Sequence, residues 1–217
     1  MELTISRTDI LTQLIRQLES HFILTESERN TINRHLDDTF NECENNFLHS
    51  DNKYYTSQQG GHKVVIFNPY HSVQYMIFLY YLSHRIYLQE KETLLCDKIY
   101  YLNKIMNGVD LFYAINLPSA FGAEHPVGSV MGRAKYSNGF FFYQGCTVGG
   151  TRDKDGNLYY PELGDHVHMY ANSSILGKCR IGKNTNIGAG AVVKNQNIPD
   201  NCTVFGESPN LIIKTND

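Results

Sequence analysis

The 217-residue chain has no tryptophan, no CxxC pair and no long apolar run. Each absence excludes something. The most apolar stretch, "VQYMIFLYYL", covers only ten residues from Val73 to Leu82, too short to span a bilayer. The amino terminus, "MELTISRTDI", lacks the basic-then-apolar layout of a secretory signal. The five cysteines, Cys43, Cys96, Cys146, Cys179 and Cys202, are too scattered for a disulfide framework, so reduced thiols and a cytoplasmic location are expected. A net charge near −3 offers no basic surplus for nucleic acid or an anionic membrane surface. What remains is a globular composition, 41% hydrophobic, in a chain long enough for one large domain or two small ones.

The first half reads as helices. Thr8 and Asp9 offer a cap before Ile10, Leu11, Leu14, Ile15 and Leu18, which recur at helical spacing. A second stripe runs through Ile32, Leu36, Phe40, Cys43 and Phe47. The polar, glycine-containing "SDNKYYTSQQGGH" is expected to be a loop. Asn68-Pro69 is read as the start of a third helix, proline being tolerated at its first position. That helix, about His71 to Gln89, is apolar on more than one face and should pack against protein, within the chain or between copies. A fourth spans about Glu92 to Met106, and Gly108 ends it.

The second half follows a period of six. Leu163, Met169, Ile175, Ile181, Ile187 and Val193 are evenly spaced. The small or slender Val167, Ser173, Cys179, Thr185 and Ala191 follow the first five by four residues. Upstream, Val130, Tyr136, Phe142 and Val148 keep the same interval. No helix or plain strand has this period. An aliphatic residue followed by a small one is the hexad of a parallel β-helix, each hexad forming one side of a triangular coil. Cys146, Cys179 and Cys202 then fill small inward slots. "TRDKDGNLYYPEL" interrupts the count and should loop out, with Asp155-Gly156 as its turn. The expected architecture is α+β: a helical domain at 1–108, then a β-helix at 109–217 with an insertion at 150–161.

Counting one hexad back from Val130 puts Glu124 in the aliphatic slot, with His125 beside it. A lone carboxylate is too costly to bury, so that coil must be irregular or the residue must be held by partners. "VDLFYAINLPSAFGAEH" also places an acidic residue, Asp110, fifteen positions before His125. With "HPVGSVMG", "YQGCTVGGT", "IGAGAVV" and "IPDNCTVFGESP", this pattern resembles the serine acetyltransferases of the left-handed β-helix acyltransferase superfamily. The resemblance covers about Tyr70 to Lys214.

It implies an O-acetyltransferase using acetyl-CoA as co-substrate, without a metal, assembled as a homotrimer or a dimer of trimers. His125 would be the general base, steadied by Asp110, with Glu124 orienting the acceptor hydroxyl. Gly150, Ala171 and Ala189 match coenzyme contacts, and Lys183, Lys194 and Lys214 are candidates for the nucleotide phosphates. Backbone N–H groups around Gly149-Gly150 could bind the oxyanion. One departure matters: Tyr159-Tyr160 stands where the family carries an Arg-His pair for the amino acid's carboxylate. Two tyrosines suit a sugar, and Arg152 is the nearby candidate to restore the charge. A sugar acceptor is therefore expected ahead of L-serine. His166 and His168, two apart on a strand and both outward, raise a γ-carbonic-anhydrase-like zinc site as a further alternative. A non-catalytic scaffold is another, although it would have no use for Asp110, Glu124 and His125 together.

Overall fold

The computed structural model describes residues 1–49 and 52–216, so Ser50 and Asp51 of the expected loop lie outside the described residues. The chain divides into two compact units, 1–107 and 108–217.

In the first unit, helix α1 (Arg7–Glu19) buries Ile10, Leu14 and Leu18. Its cap is Ser6, whose side chain accepts from the Asp9 N–H, so the expected cap at Thr8 and Asp9 moves upstream. Helix α2 (Glu26–Leu48) opens with a capping box formed by Thr25 and Glu28. Helix α3 (Ser72–Glu90) is capped by His71. Pro69 lies in the turn before it rather than at its first position, because the helix begins only once His71 can accept from the Gln74 N–H. Tyr75 to Leu82 are all buried, and α3 packs on α2 and on α4 (Thr93–Asn107). The apolar helix therefore finds its cover inside the chain.

The expected loop is only partly one. Strand β2 (Thr56–Gln59) pairs antiparallel with β3 (His62–Phe67), turning at Gly60 and Gly61, both with positive φ. The short β1 (Glu2–Leu3) adds parallel to β3. Glycine was read as a breaker, whereas here it is the turn that lets two strands meet.

The second unit is a parallel β-helix with three faces. The aspartate face stacks Asp110–Leu111, Val130–Met131, Thr147–Gly149, Ser174–Leu176 and Val192–Lys194. The aromatic face stacks Phe121–Ala123, Phe140–Phe142, His168–Met169, Asn186–Ile187 and Cys202–Phe205, with Ile212–Thr215 added antiparallel at its end. The third face pairs Glu162–Leu163 with Arg180–Ile181 and is extended by bridges from Lys135 and Ile198. The interior holds Leu163, Met169, Ile175, Ile181, Ile187 and Val193, each at most 2% exposed. Cys146, Cys179 and Cys202 are buried with Val167, Ser173, Thr185 and Ala191. Their thiols lie near carbonyl oxygens, such as Cys179 Sγ to Leu176 O at 3.0 Å. Burial pushes the Cys179 and Cys202 thiols up, away from thiolate chemistry.

One register expectation fails. Val130 is 41% exposed and Met131 fills the interior at 1%. Ala123 pairs with Phe142 and Met131 with Val148. Eight positions therefore separate Ala123 from Met131 where six separate their partners. That coil carries two extra residues at its corner. Ala123, 3% exposed, takes the inward slot and Glu124 points outside, which removes the difficulty of a buried carboxylate.

Candidate active site

The two-residue bulge lies where the aromatic face turns into the aspartate face, and His125 is on it. Its φ is +50°, the left-handed region that few side chains adopt, while Pro126 behind it is buried. The chain turns outward here, leaving the His125 side chain 81% exposed, with Nε2 at 3.9 Å from Glu124 Oε1. The Glu124 N–H donates to Phe142 O at 3.1 Å, so the pair is anchored through the backbone of the next coil. Asp110 stands on the aspartate face, paired with Val130, and its N–H donates to Ser129 O at 2.8 Å. Leu111 next to it is buried, so Asp110 lies on the outer side of its own strand, which pairs with the Val130–Met131 strand that follows the bulge.

The expected coenzyme positions divide. The Gly145 N–H donates to Val127 O, Asn172 N–H to Gln144 O and Gly190 N–H to Ala171 O. These bonds stack Val127, Gln144, Ala171 and Ala189 along the same corner as His125. Gly150 belongs to the other edge of the aspartate face, with the insertion. The insertion is a hairpin, Thr151–Arg152 against Leu158–Tyr159, closed by Gly156 at φ +86°. Asp153 accepts from the N–H groups of Asp155 and Asn157, each at 2.9 Å. Its carboxyl is held below the usual range, foremost by the Asn157 side chain.

The three residues expected to meet the acceptor are largely occupied. Arg152 Nη1 donates to Gly156 O at 2.7 Å, inside the hairpin. The Tyr160 ring covers Gly150, where a Cβ would come within 2.8 Å of it. The missing side chain at Gly150 therefore accommodates the chain's own tyrosine rather than leaving open space. Tyr159 has Lys178 Nζ 4.9 Å from its ring centroid, a cation–π contact. Lys178 was not singled out in the sequence; its distance in sequence from the hairpin hides it.

The candidate phosphate ligands scatter as well. Lys194 extends the aspartate face, Lys183 is exposed at a turn, and Lys214 Nζ lies 5.9 Å from the Phe205 ring centroid. His168 packs on the Phe141 ring at 5.6 Å, and His166 lies over Gly139. Among the described residues, no three His, Cys, Asp or Glu side chains come together as metal ligands would. Among them, too, no helix is long and apolar enough to cross a membrane.

A feature the hexad count missed runs down the aromatic face to Glu124. Backbone pairing aligns Glu124, Tyr143, Tyr170, Gly188 and Phe205 on successive coils. Tyr143 and Tyr170 stack at 5.4 Å and 10°, and Phe205 covers Gly188. The signal was present in the sequence. Tyr143 and Tyr170 follow the inward Phe142 and Met169 at the place where glycine often stands in such repeats.

The coil and its six-residue period define a hexapeptide-repeat protein. Residues 160–195 match the family model described as bacterial transferase hexapeptide, six repeats. Within that class the chain is serine acetyltransferase-like. It is 30% identical over 134 residues to the serine acetyltransferase of Synechococcus elongatus, covering 61% of this chain and 54% of that one. It is 30% identical over 139 residues to that of Staphylococcus aureus, covering 64% and 63% respectively. The chain thus spans little more than half the length of the first of these relatives. The solved serine acetyltransferase of Neisseria gonorrhoeae in complex with serine is 26% identical. It matches 83% of this chain and 71% of its own, with a TM-score of 0.61. The shared fold is a helical amino-terminal domain followed by a left-handed β-helix.

Proposed function

We propose that the protein is an acetyl-CoA-dependent O-acetyltransferase, with His125 as general base, Asp110 steadying the histidine and Glu124 orienting the acceptor. The observation that carries this reading is the Glu124–His125 pair lifted off the β-helix by a two-residue bulge. A regular coil has no need of it, and it leaves the imidazole open to a substrate. The chemistry requires such a base because an alcohol is unreactive at neutral pH. His125 takes the hydroxyl proton as the oxygen attacks the thioester carbonyl carbon. The tetrahedral intermediate then collapses, the C–S bond breaks, and the departing thiolate takes the proton back from the imidazolium. Asp110 would hold the ring's tautomer and balance its charge. Ala171 and Ala189, stacked along the His125 corner, leave room for the extended arm of the coenzyme, and Gly149-Gly150 offers N–H groups at the other edge of the face.

L-serine, or an amino acid like it, is the acceptor proposed. The case for a sugar rested on Tyr159 and Tyr160 being free to stack on one. Tyr160 is instead committed to Gly150, and Tyr159 carries Lys178. That lysine brings to the hairpin the positive charge that the tyrosines themselves lack, and a charge-assisted contact suits a carboxylate. Serine acetyltransferases among the relatives point the same way. His125 and the hairpin lie at opposite edges of the aspartate face, so a neighbouring copy is proposed to complete each site, in a homotrimer or a dimer of trimers. The test is thiol release from acetyl-CoA against serine, homoserine, sugars and nucleotide sugars. Serine should be the best acceptor. A sugar with the higher kcat/KM would reverse the assignment, and no turnover with any acceptor would remove it.

A further inference from the structure

We infer that Tyr143 is a positioning residue that holds the Glu124 carboxylate beside His125; the inference rests on the catalytic reading above. Glu124 is poorly restrained by itself, since its side chain is 52% exposed. An unheld glutamate samples several rotamers, and each wrong one takes the carboxylate away from the acceptor. Tyr143 occupies the matching place on the next coil: the Glu124 N–H donates to Phe142 O, continuing the pairing of Ala123 with Phe142. In-register neighbours on adjacent strands are about 4.8 Å apart, within reach of one another's side chains.

The Tyr143 ring is itself held on two sides. Tyr170 stacks on it in parallel from the following coil. Phe141 meets it edge-on at 5.4 Å and 61°, and the Phe141 ring is in turn seated over Gly122, where a Cβ would approach within 2.8 Å. The titratable groups facing the phenol are Glu124 from one neighbouring strand and Tyr170 from the other, with His168 two residues before Tyr170, against Phe141. Burial pushes the Tyr143 phenol up, and hydrogen bonding to Glu124, that carboxylate's charge and Tyr170 push it further. A phenol so raised stays protonated and donates to the carboxylate. The tyrosine stack thus acts as a rigid post whose hydroxyl selects one Glu124 rotamer.

The experiment compares wild type, Tyr143→Phe, Glu124→Gln and the double variant. Removing a hydrogen bond to a charged group should lower kcat about 10-fold in Tyr143→Phe, with the KM for acetyl-CoA unchanged. Because the phenol acts through Glu124, the double variant should be no slower than Glu124→Gln alone. A second readout needs no turnover. In protein labelled with ¹³C-tyrosine, with the Tyr143 signal assigned by its loss in Tyr143→Phe, Glu124→Gln should lower the pH at which that ring titrates. Additive losses in the double variant would overturn the inference, and so would a Tyr143 titration indifferent to Glu124→Gln. If wild type acetylates no acceptor, the catalytic reading fails, and the titration alone then decides whether Tyr143 holds Glu124.

Discussion

Replacing His125 by glycine should separate stability from activity. The residue has φ +50°, and a non-glycine side chain in that region costs roughly 1–2 kcal/mol. Glycine relieves this strain but adds about 0.5–1 kcal/mol of unfolded-state freedom. The ring itself contributes little to folding. Its side chain is 81% exposed and its ionic neighbour is Glu124 at 3.9 Å, an arrangement worth about 0–1 kcal/mol at most. These effects nearly cancel, so His125→Gly should be as stable as wild type, or up to about 1 kcal/mol more stable, in urea denaturation. Turnover should nevertheless fall roughly 10²–10⁴-fold, and added imidazole should restore part of it by occupying the vacated space. His125→Ala, which keeps the strained backbone, should lose as much activity without the gain in stability. Near-normal turnover in the glycine variant would refute the proposed base. A loss of several kcal/mol in stability would refute the view that this side chain is outside the packing.

The register assigned to the first coils can be tested through neighbouring residues. Met131→Ala should cost about 2–5 kcal/mol and Val130→Ala less than about 0.5 kcal/mol in the same denaturation assay; equal costs would contradict the inward assignment of Met131. Lys178→Ala should raise the KM for serine more than that for acetyl-CoA, whereas equal changes, or none, would remove Lys178 from acceptor binding. His168 gives a pH dependence. Burial, then the charge of His166, pulls its pKa below 6.5, so the unfolded chain takes up that proton first as pH falls. Its contribution to stability is therefore full above about pH 6.5 and is lost progressively below it. His168→Gln should flatten stability against pH between about 7.5 and 5.5, and an unchanged slope would show that the ring titrates normally.

The interior of the β-helix was legible because a six-residue period allows few alternatives: Leu163 through Val193 fall into their slots by counting. The same counting held through Phe142 and Tyr136, both buried, and failed only beyond them, at Val130 and Glu124. It assumes that every corner has the same length, whereas Met131 and the buried Tyr136 stand five positions apart and Ala123 and Met131 eight, and neither change carries a mark in composition. Only the strand pairings on both sides show that Met131, not Val130, is the partner of Val148. Glu124 had appeared to be a buried charge for that reason alone. The role of Tyr160 was hidden differently. Its contact with Gly150 depends on how the hairpin folds back, and no periodicity encodes that. Lys178 and the Tyr143–Tyr170 stack likewise depend on neighbours one coil away, 19 and 27 positions along the chain. In the first unit, helix positions followed from apolar spacing, whereas the Thr56–Phe67 hairpin was obscured because Gly60-Gly61 reads equally well as the middle of a loop and as a tight turn.

The bulge at His125 also bears on how such a protein can change. Each coil closes on its neighbour through its own strands, so length added at one corner is absorbed there and passed to no other rung. Phe142, Val148 and the coils below keep their partners whatever stands at 125 and 126. Reactive groups and scaffold are therefore separately editable. The corner behaves as a cassette, in which residues can be exchanged, lengthened or deleted to gain or lose chemistry while the load on the interior stays the same. A plain hexapeptide coil given a two-residue insertion at the equivalent corner should keep its stack and acquire an outward-facing side chain in the left-handed conformation, the geometric starting point for a new active site.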